Sequence, residues 1–127
     1  MTDRSRHRDR GQATVELALA LPLIVLLLMG VIQAGLLVRD QILVTHAARE
    51  GARAAAVDDD RGAAEQAARA AGPLDRDRLV VTGEGRGAPG SRVRVHVSYR
   101  ASIRLPLLGQ ALGDVVLDAS ATMRVER

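Results

Sequence analysis

The residues of this chain that could do chemistry are few and far apart. It has three histidines and no cysteine, so a cysteine nucleophile, a disulfide and a thiolate zinc site are all excluded. We expect no catalytic or metal-binding role for His7, His46 or His96, which lie far from one another in the sequence. The chain contains no G-x-S-x-G and no H-E-x-x-H motif. It is therefore predicted not to be an enzyme and to have no cofactor and no metal ion.

An aspartate run and a glycine-rich stretch each have both a chemical and a structural interpretation. Three consecutive aspartates, Asp58 to Asp60, precede an alanine-rich run and predict a turn with a helix N-cap. Calcium binding is disfavoured because D-D-D-R-G lacks the alternating ligands and the distal glutamate of an EF-hand loop. The glycine-rich stretch 83–90 (GEGRGAPG) could bind an anion through its backbone N–H groups. It joins two predicted strands and precedes no G-K-[ST], so a hairpin connection is favoured.

The longest pattern in the chain is an uncharged apolar run over residues 17–38. At 1.5 Å per residue it is about 33 Å long, enough to cross a hydrocarbon core of about 30 Å. A cleaved signal peptide is disfavoured, because its apolar region is shorter, about 7–15 residues. A buried helix of a soluble protein is also disfavoured, because the rest of the chain has too little apolar surface to cover it. The sequence therefore predicts one transmembrane helix.

Arginine placement predicts the orientation of that helix. All 18 basic residues are arginines and the formal net charge is +3. Four arginines lie within the first ten residues, whereas three, Arg39, Arg49 and Arg53, follow the run at wider spacing. Because cytoplasmic flanks are enriched in basic residues, we expect a cytoplasmic N-terminus and an extracytoplasmic C-terminal part. The small net charge predicts no general attraction to nucleic acid.

The residues that enter the apolar run resemble a type IV prepilin processing site. Gly11 ends the arginine-rich leader, and Glu16 is the fifth residue after it. The resemblance implies that a prepilin peptidase cleaves between Gly11 and Gln12. A carboxylate at the edge of an apolar helix is costly unless it is paired. The new α-amine of a neighbouring subunit could pair with Glu16 and set the axial register of assembled subunits.

A second motif follows the apolar run. Residues 46–57 (HAAREGARAAAV) are similar to the A-A-R-E-G-A-R segment of the TadE-like family, pseudopilins of the tight-adherence (Tad, or Flp) pilus system. The motif residues are Arg49, Glu50, Gly51 and Arg53. The family also has a G-x-x-x-V-E-x-A-x-x-x-P motif at the start of its apolar run. The matching residues here are Gly11, Val15, Glu16, Ala18 and Pro22. The resemblance covers residues 11–57 and implies a component of a pilus or related secretion fibre.

Small residues mark two expected packing surfaces on the helix. The helix formers of residues 39–57 predict that the transmembrane helix continues beyond the membrane. Gly30 and Ala34 form a small-x-x-x-small pair within the run, although small residues are also simply common in membrane helices. Ala47, Gly51 and Ala55 recur at every fourth position and predict a smooth stripe against which a sheet or a second helix docks.

The remaining chain predicts a small α+β portion. A short helix is expected over residues 61–72, ended by Gly72 and Pro73. Strands are expected over residues 78–82, 92–102 and 115–125, forming three antiparallel strands packed on the long helix. On the second strand Arg92, Arg94 and Arg100, with Arg104 beyond it, form a basic face. Contact with anionic lipid or nucleic acid is possible there, but a solvated outer face is favoured because no aromatic residues interleave.

The predicted organisation is a leader over residues 1–11, a long helix over 12–57 with its span at 17–38, and an exported portion over 58–127. The fold class is α+β, membrane-anchored and pilin-like. The function implied is non-enzymatic assembly at the cell membrane, with the lipid bilayer, a prepilin peptidase, other pilins or pseudopilins and the Tad machinery as partners. Two alternatives stay open: an exported single-span module that binds DNA or a surface, and a membrane hydrolase, for which no nucleophile and base are found.

Overall fold

The computed structural model describes residues 5–60, 62–85, 87–104, 109 and 113–126, with side chains from residue 11 onward. Residues 1–4 of the predicted leader, the side chains of the rest of it up to Arg10, and Arg86 of the glycine-rich stretch lie outside the described part. Five main elements follow in chain order: helix α1 (Ser5–Val57), helix α2 (Ala63–Ala70), and strands β1 (Leu79–Glu84), β2 (Arg92–Ser102) and β3 (Asp114–Arg124). A 3-10 turn, Arg76–Arg78, precedes β1. The predicted α+β class is confirmed.

Helix α1 is 53 residues long and continuous through Pro22, which corresponds to about 80 Å. It begins at Ser5 and passes through Gly11, whereas we expected the helix from residue 12. One helix in the described part is long and apolar enough to cross a membrane, and its most apolar window is entirely unburied within the protein. Over residues 11–32, α1 is therefore uncovered apolar helix, and the residues after Ile32 carry the domain.

The three strands form one antiparallel sheet in the order β1-β2-β3. β2 lies in the centre, with Val97 opposite Val81 of β1 and Ala119 of β3. Its residues alternate between exposed and buried along the strand, as the sequence pattern predicts. The buried face packs on α1, which crosses β2 and β3, while α2 lies between α1 and β1.

The core between helix and sheet is built of small and β-branched side chains. Its largest fully buried members are Val44, Val95, Val97 and Val125. Alanines fill most of the α1 side of this core. Short side chains allow the helix axis to approach the sheet closely, so the domain is packed without a large aromatic cluster.

The aspartate cluster differs from its predicted role. The N-cap of α2 is Gly62, and no side chain caps the helix. Asp60 Oδ1 instead accepts a hydrogen bond from the Gly62 backbone N–H at 3.0 Å, and Asp58 Oδ1 accepts one from the Asp60 N–H at 3.0 Å. The helix begins later than expected, so the carboxylates form consecutive turns that lead into it. The N-cap prediction is wrong, and the turn prediction is confirmed.

Candidate functional site: the bare helix and the membrane border

The first functional surface is the uncovered part of α1, residues 11–32, which we call the bare segment. None of its residues is buried, and leucines along it are up to 75 % exposed. The segment is about 33 Å long, which matches the hydrocarbon thickness of a bilayer. A helix that exposes leucine, isoleucine and valine on all sides is unfavourable in water and favourable in lipid. The bare segment therefore has the length and surface of a membrane span.

Glu16 is the only ionisable side chain of the bare segment, and it lies near its start. It is exposed, and its carboxylate has no hydrogen bond or ion pair to another described residue. Gln12 lies one helical turn before it, on the same face of α1. The structure thus places Gln12, at the expected processing site, one turn from Glu16, the expected register residue. Among the described residues, the Glu16 carboxylate has no partner in the same chain.

The small residues of the expected packing surfaces fall into two different environments. Gly30 is partly exposed and Ala34 is exposed, and a Cβ built on Gly30 would meet nothing within 4 Å. Ala47, Gly51 and Ala55 are buried under the domain. A Cβ on Gly51 would lie 3.0 Å from the Ala64 carbonyl oxygen, 3.1 Å from Val95 Cγ1 and 3.3 Å from Ala68 Cβ. The second stripe is therefore where α1, α2 and the sheet meet within one chain.

The charged residues of the A-A-R-E-G-A-R motif lie around Gly51. Arg49 and Arg53 are exposed one turn apart, and Glu50 is half-buried. Among the described residues these three side chains have no hydrogen bond or ion pair. The motif therefore combines a glycine required by the packing of this domain with two exposed arginines and a half-buried glutamate.

The second functional surface is the junction between the domain and the end of the bare segment. Gln33 directly follows the bare segment and is 8 % exposed. Its Nε2 donates to the Ser102 carbonyl at 3.4 Å, and its Oε1 accepts from the Arg104 backbone N–H at 3.1 Å. This side chain fixes the end of β2 to α1 inside the run predicted to span the membrane. Sequence reasoning did not identify Gln33, although it is the only side chain of residues 17–38 with a hydrogen-bonding amide.

A cleft of about 320 Å³ opens beside Gln33, between α1, the end of β2 and the segment before β1. We call it the border cleft. Its charged lining residues are Arg39, Asp40, Asp75, Arg78 and Arg104. Asp75 pairs with Arg78 at 3.5 Å, and the Arg78 guanidinium also donates to the Ser102 hydroxyl. Arg39 and Arg104 have no side-chain partner among the described residues.

The outer face of the sheet is polar. Arg92, Arg94 and Arg100 are exposed along β2, whereas Arg104 lies past the strand in the border cleft. His96 Nε2 lies 3.4 Å from an Asp118 carboxylate oxygen, so an acidic group also lies on this face. Within the described ranges no group of three or more histidine, aspartate or glutamate residues could hold a metal ion. This face is the solvated surface that the alternation favours.

Replacing Gln33 by leucine is expected to loosen the end of β2. The change removes both hydrogen bonds and leaves a partly buried carbonyl and N–H unpaired, at a cost of about 1–3 kcal/mol. Gln41→Leu is the matched comparison, because its Nε2 also donates to a strand carbonyl, that of Asp118 at 2.9 Å, at an exposed place. Hydrogen exchange of the detergent-solubilised full chain should show faster exchange near Ser102 in Gln33→Leu than in Gln41→Leu. Equal exchange in the two variants would contradict the anchoring role.

A long apolar helix that carries a small α+β domain on its second half defines a single-pass, membrane-anchored class of protein. Residues 11–53 of the chain match the model of the family described as TadE-like protein. The match confirms the resemblance over residues 11–53, which include the bare segment and the motif around Gly51. No characterised protein and no solved structure matches the chain significantly. The similarity to the TadE-like family thus covers about a third of the chain, the apolar helix and its junction with the domain.

Proposed function

We propose that the protein is a TadE-like pseudopilin, a non-enzymatic subunit that helps to assemble a Tad/Flp-type pilus or a related secretion fibre. The observation that carries the proposal is the family match over residues 11–53, which coincides with the bare segment and its junction with the domain. In this proposal the N-terminus faces the cytoplasm and the domain lies outside. Prepilin peptidase removes residues 1–11, and the helix stays in the membrane.

The bare segment supplies the assembly contact in this proposal. Its apolar surface is available all round, and the pair Gly30 and Ala34 allows another helix to approach closely. The domain contributes no cover to this segment, so lateral contacts between the membrane helices of neighbouring subunits are unobstructed. Cleavage creates an α-amine on Gln12, one turn from Glu16, that a displaced neighbour can present to the carboxylate.

The proposal predicts a defined mature N-terminus. Intact mass and N-terminal peptide mapping of the membrane-purified protein should show a start at Gln12 in a host with prepilin peptidase. The same chain should start at Met1 in a host that lacks the peptidase. Because processing occurs on the cytoplasmic face, a start at Gln12 also supports the proposed orientation. A start at Met1 in both hosts would leave an ordinary single-span anchor and remove the pseudopilin mechanism.

A further inference from the structure

We propose that the border cleft binds the phosphate of an anionic phospholipid headgroup in the leaflet next to the domain. The inference uses the placement of Gln33, the arginines of the cleft and their partners. It is independent of cleavage and of fibre assembly, and it holds for either orientation of the helix.

The contacts of Gln33 locate the membrane surface. Irregular backbone and unpaired strand ends are not tolerated against hydrocarbon. The Gln33 side chain holds the Ser102 carbonyl and the Arg104 N–H at its own level on α1. The hydrocarbon must therefore end near residues 32–33 on this side, and residues 33–38 lie at the depth of headgroups rather than of lipid tails.

Arg39 and Arg104 lie within reach of the headgroup layer. The headgroup layer is about 5–7 Å thick on each side of the hydrocarbon. Arg39 is six residues after Gln33 in the continuous helix, which is about 9 Å along the axis. A long arginine side chain that points toward the membrane reaches the headgroup layer from that height. Arg104 lies two residues after the end of β2, and its backbone N–H is held by Gln33 at the level of the membrane border.

The arginines of the border cleft differ in whether they have a partner. Arg78 is paired with Asp75 and hydrogen-bonded to the Ser102 hydroxyl. The guanidinium groups of Arg39 and Arg104 have no partner among the described residues, although both line the same cleft. With Asp40 included, the cleft holds three guanidinium groups against two carboxylates and keeps an excess positive charge. Guanidinium groups bind phosphate oxygens in a bidentate geometry. Tyr99, the chain's one tyrosine, also lines the cleft and matches the aromatic preference of the membrane interface.

The test uses the full chain reconstituted into nanodiscs of phosphatidylcholine with a minor fraction of phosphatidylglycerol. Native mass spectrometry then counts the lipids that stay bound after detergent release. We expect phosphatidylglycerol to be retained in preference to phosphatidylcholine. Arg39→Gln/Arg104→Gln should lower that preference by at least about fivefold, since each basic residue near the surface contributes to anionic lipid binding.

The matched control is Arg92→Gln/Arg94→Gln, which removes the same charge at the other end of β2, about 30 Å from Ser102 along the strand. It should keep the wild-type preference, whereas Arg39→Lys, which keeps the charge but loses the bidentate geometry, should fall between the wild-type protein and Arg39→Gln. If the double variant fails to fold, as judged by hydrogen exchange of β2, Arg39→Gln alone is the test, because Arg39 lies on an exposed face of α1.

Three results would overturn the proposal. They are no preference for phosphatidylglycerol in the wild-type protein, an equal loss in the cleft and control variants, and full displacement of the lipid by inorganic phosphate. The last result would identify a site for soluble anions instead of a headgroup site. Retention of the lipid in excess phosphate, together with loss in the cleft variants alone, supports the headgroup.

Discussion

Gly51→Leu is expected to detach α2 from α1 and to abolish the compact domain while leaving the membrane helix intact. A Cβ alone would lie 3.0 Å from the Ala64 carbonyl oxygen, a backbone atom that moves only if α2 moves. Three further carbon atoms have no space between α2 and β2. Overpacking of this kind costs about 1–3 kcal/mol or more. A core of this size supplies only about 3–5 kcal/mol in total.

Hydrogen exchange of the full chain in detergent is the appropriate measurement, because the helix signal of α1 would dominate circular dichroism. Amides of α2 and β2 should lose their protection in Gly51→Leu. Gly35→Leu is the matched control, since it makes the same change in the same helix and a Cβ there meets nothing within 4 Å. Both variants gain helix propensity of about 1 kcal/mol. Wild-type protection in Gly51→Leu would contradict the packing of α1, α2 and β2 described above.

Glu16→Ala is expected to produce a protein that is inserted normally but fails to form complexes with other subunits. Removal of a charge from the bare segment makes insertion less costly. The same change removes the acceptor for a neighbour's α-amine, an interaction between charged groups that contributes about 1.5–3 kcal/mol. Complex formation measured by crosslinking in membranes should fall by about tenfold or more, and piliation should fall with it.

Two controls separate charge from shape at this position. Val15→Ala shortens the adjacent exposed side chain and keeps the carboxylate, so assembly should stay near the wild-type level. Glu16→Gln keeps the size and removes the charge, so it should behave like Glu16→Ala. If Glu16→Ala leaves processing, complex formation and piliation all unchanged, Glu16 does not set the register. Assembly by Glu16→Gln at the wild-type level would show that its charge is not needed.

Much of the fold follows from local patterns in the chain. The alternation of valine and arginine predicts the bounds of β2, residues 92–102, as the structure has them. Gly72 and Pro73 stop the short helix near its observed end, Ala70. These predictions succeed because a strand face and a helix end depend on neighbouring residues. The hairpin connection between β1 and β2 likewise follows from its glycines, and Gly90 adopts a φ of 90° that favours glycine.

The position of the sheet along α1 does not follow from local pattern. Small residues at Ala47, Gly51 and Ala55 predict a docking stripe but do not say how far the domain extends toward the membrane. In the structure, Gln33 fixes how far the domain extends, through two hydrogen bonds to residues about 70 positions away in the sequence. In the sequence, a lone amide in an apolar run fits a contact between membrane helices equally well. Long-range pairing of this kind is visible only once the sheet is placed.

The choice of valine and alanine for the core has an optical consequence. The chain has one tyrosine and no tryptophan or phenylalanine, so its near-ultraviolet absorption and dichroism come from Tyr99 alone. That ring is 9 % exposed and stands at the wall of the border cleft. The native protein therefore carries a single built-in chromophore beside the border cleft, where helix and sheet meet. A titration that changes its spectrum reports on that one location without any added label.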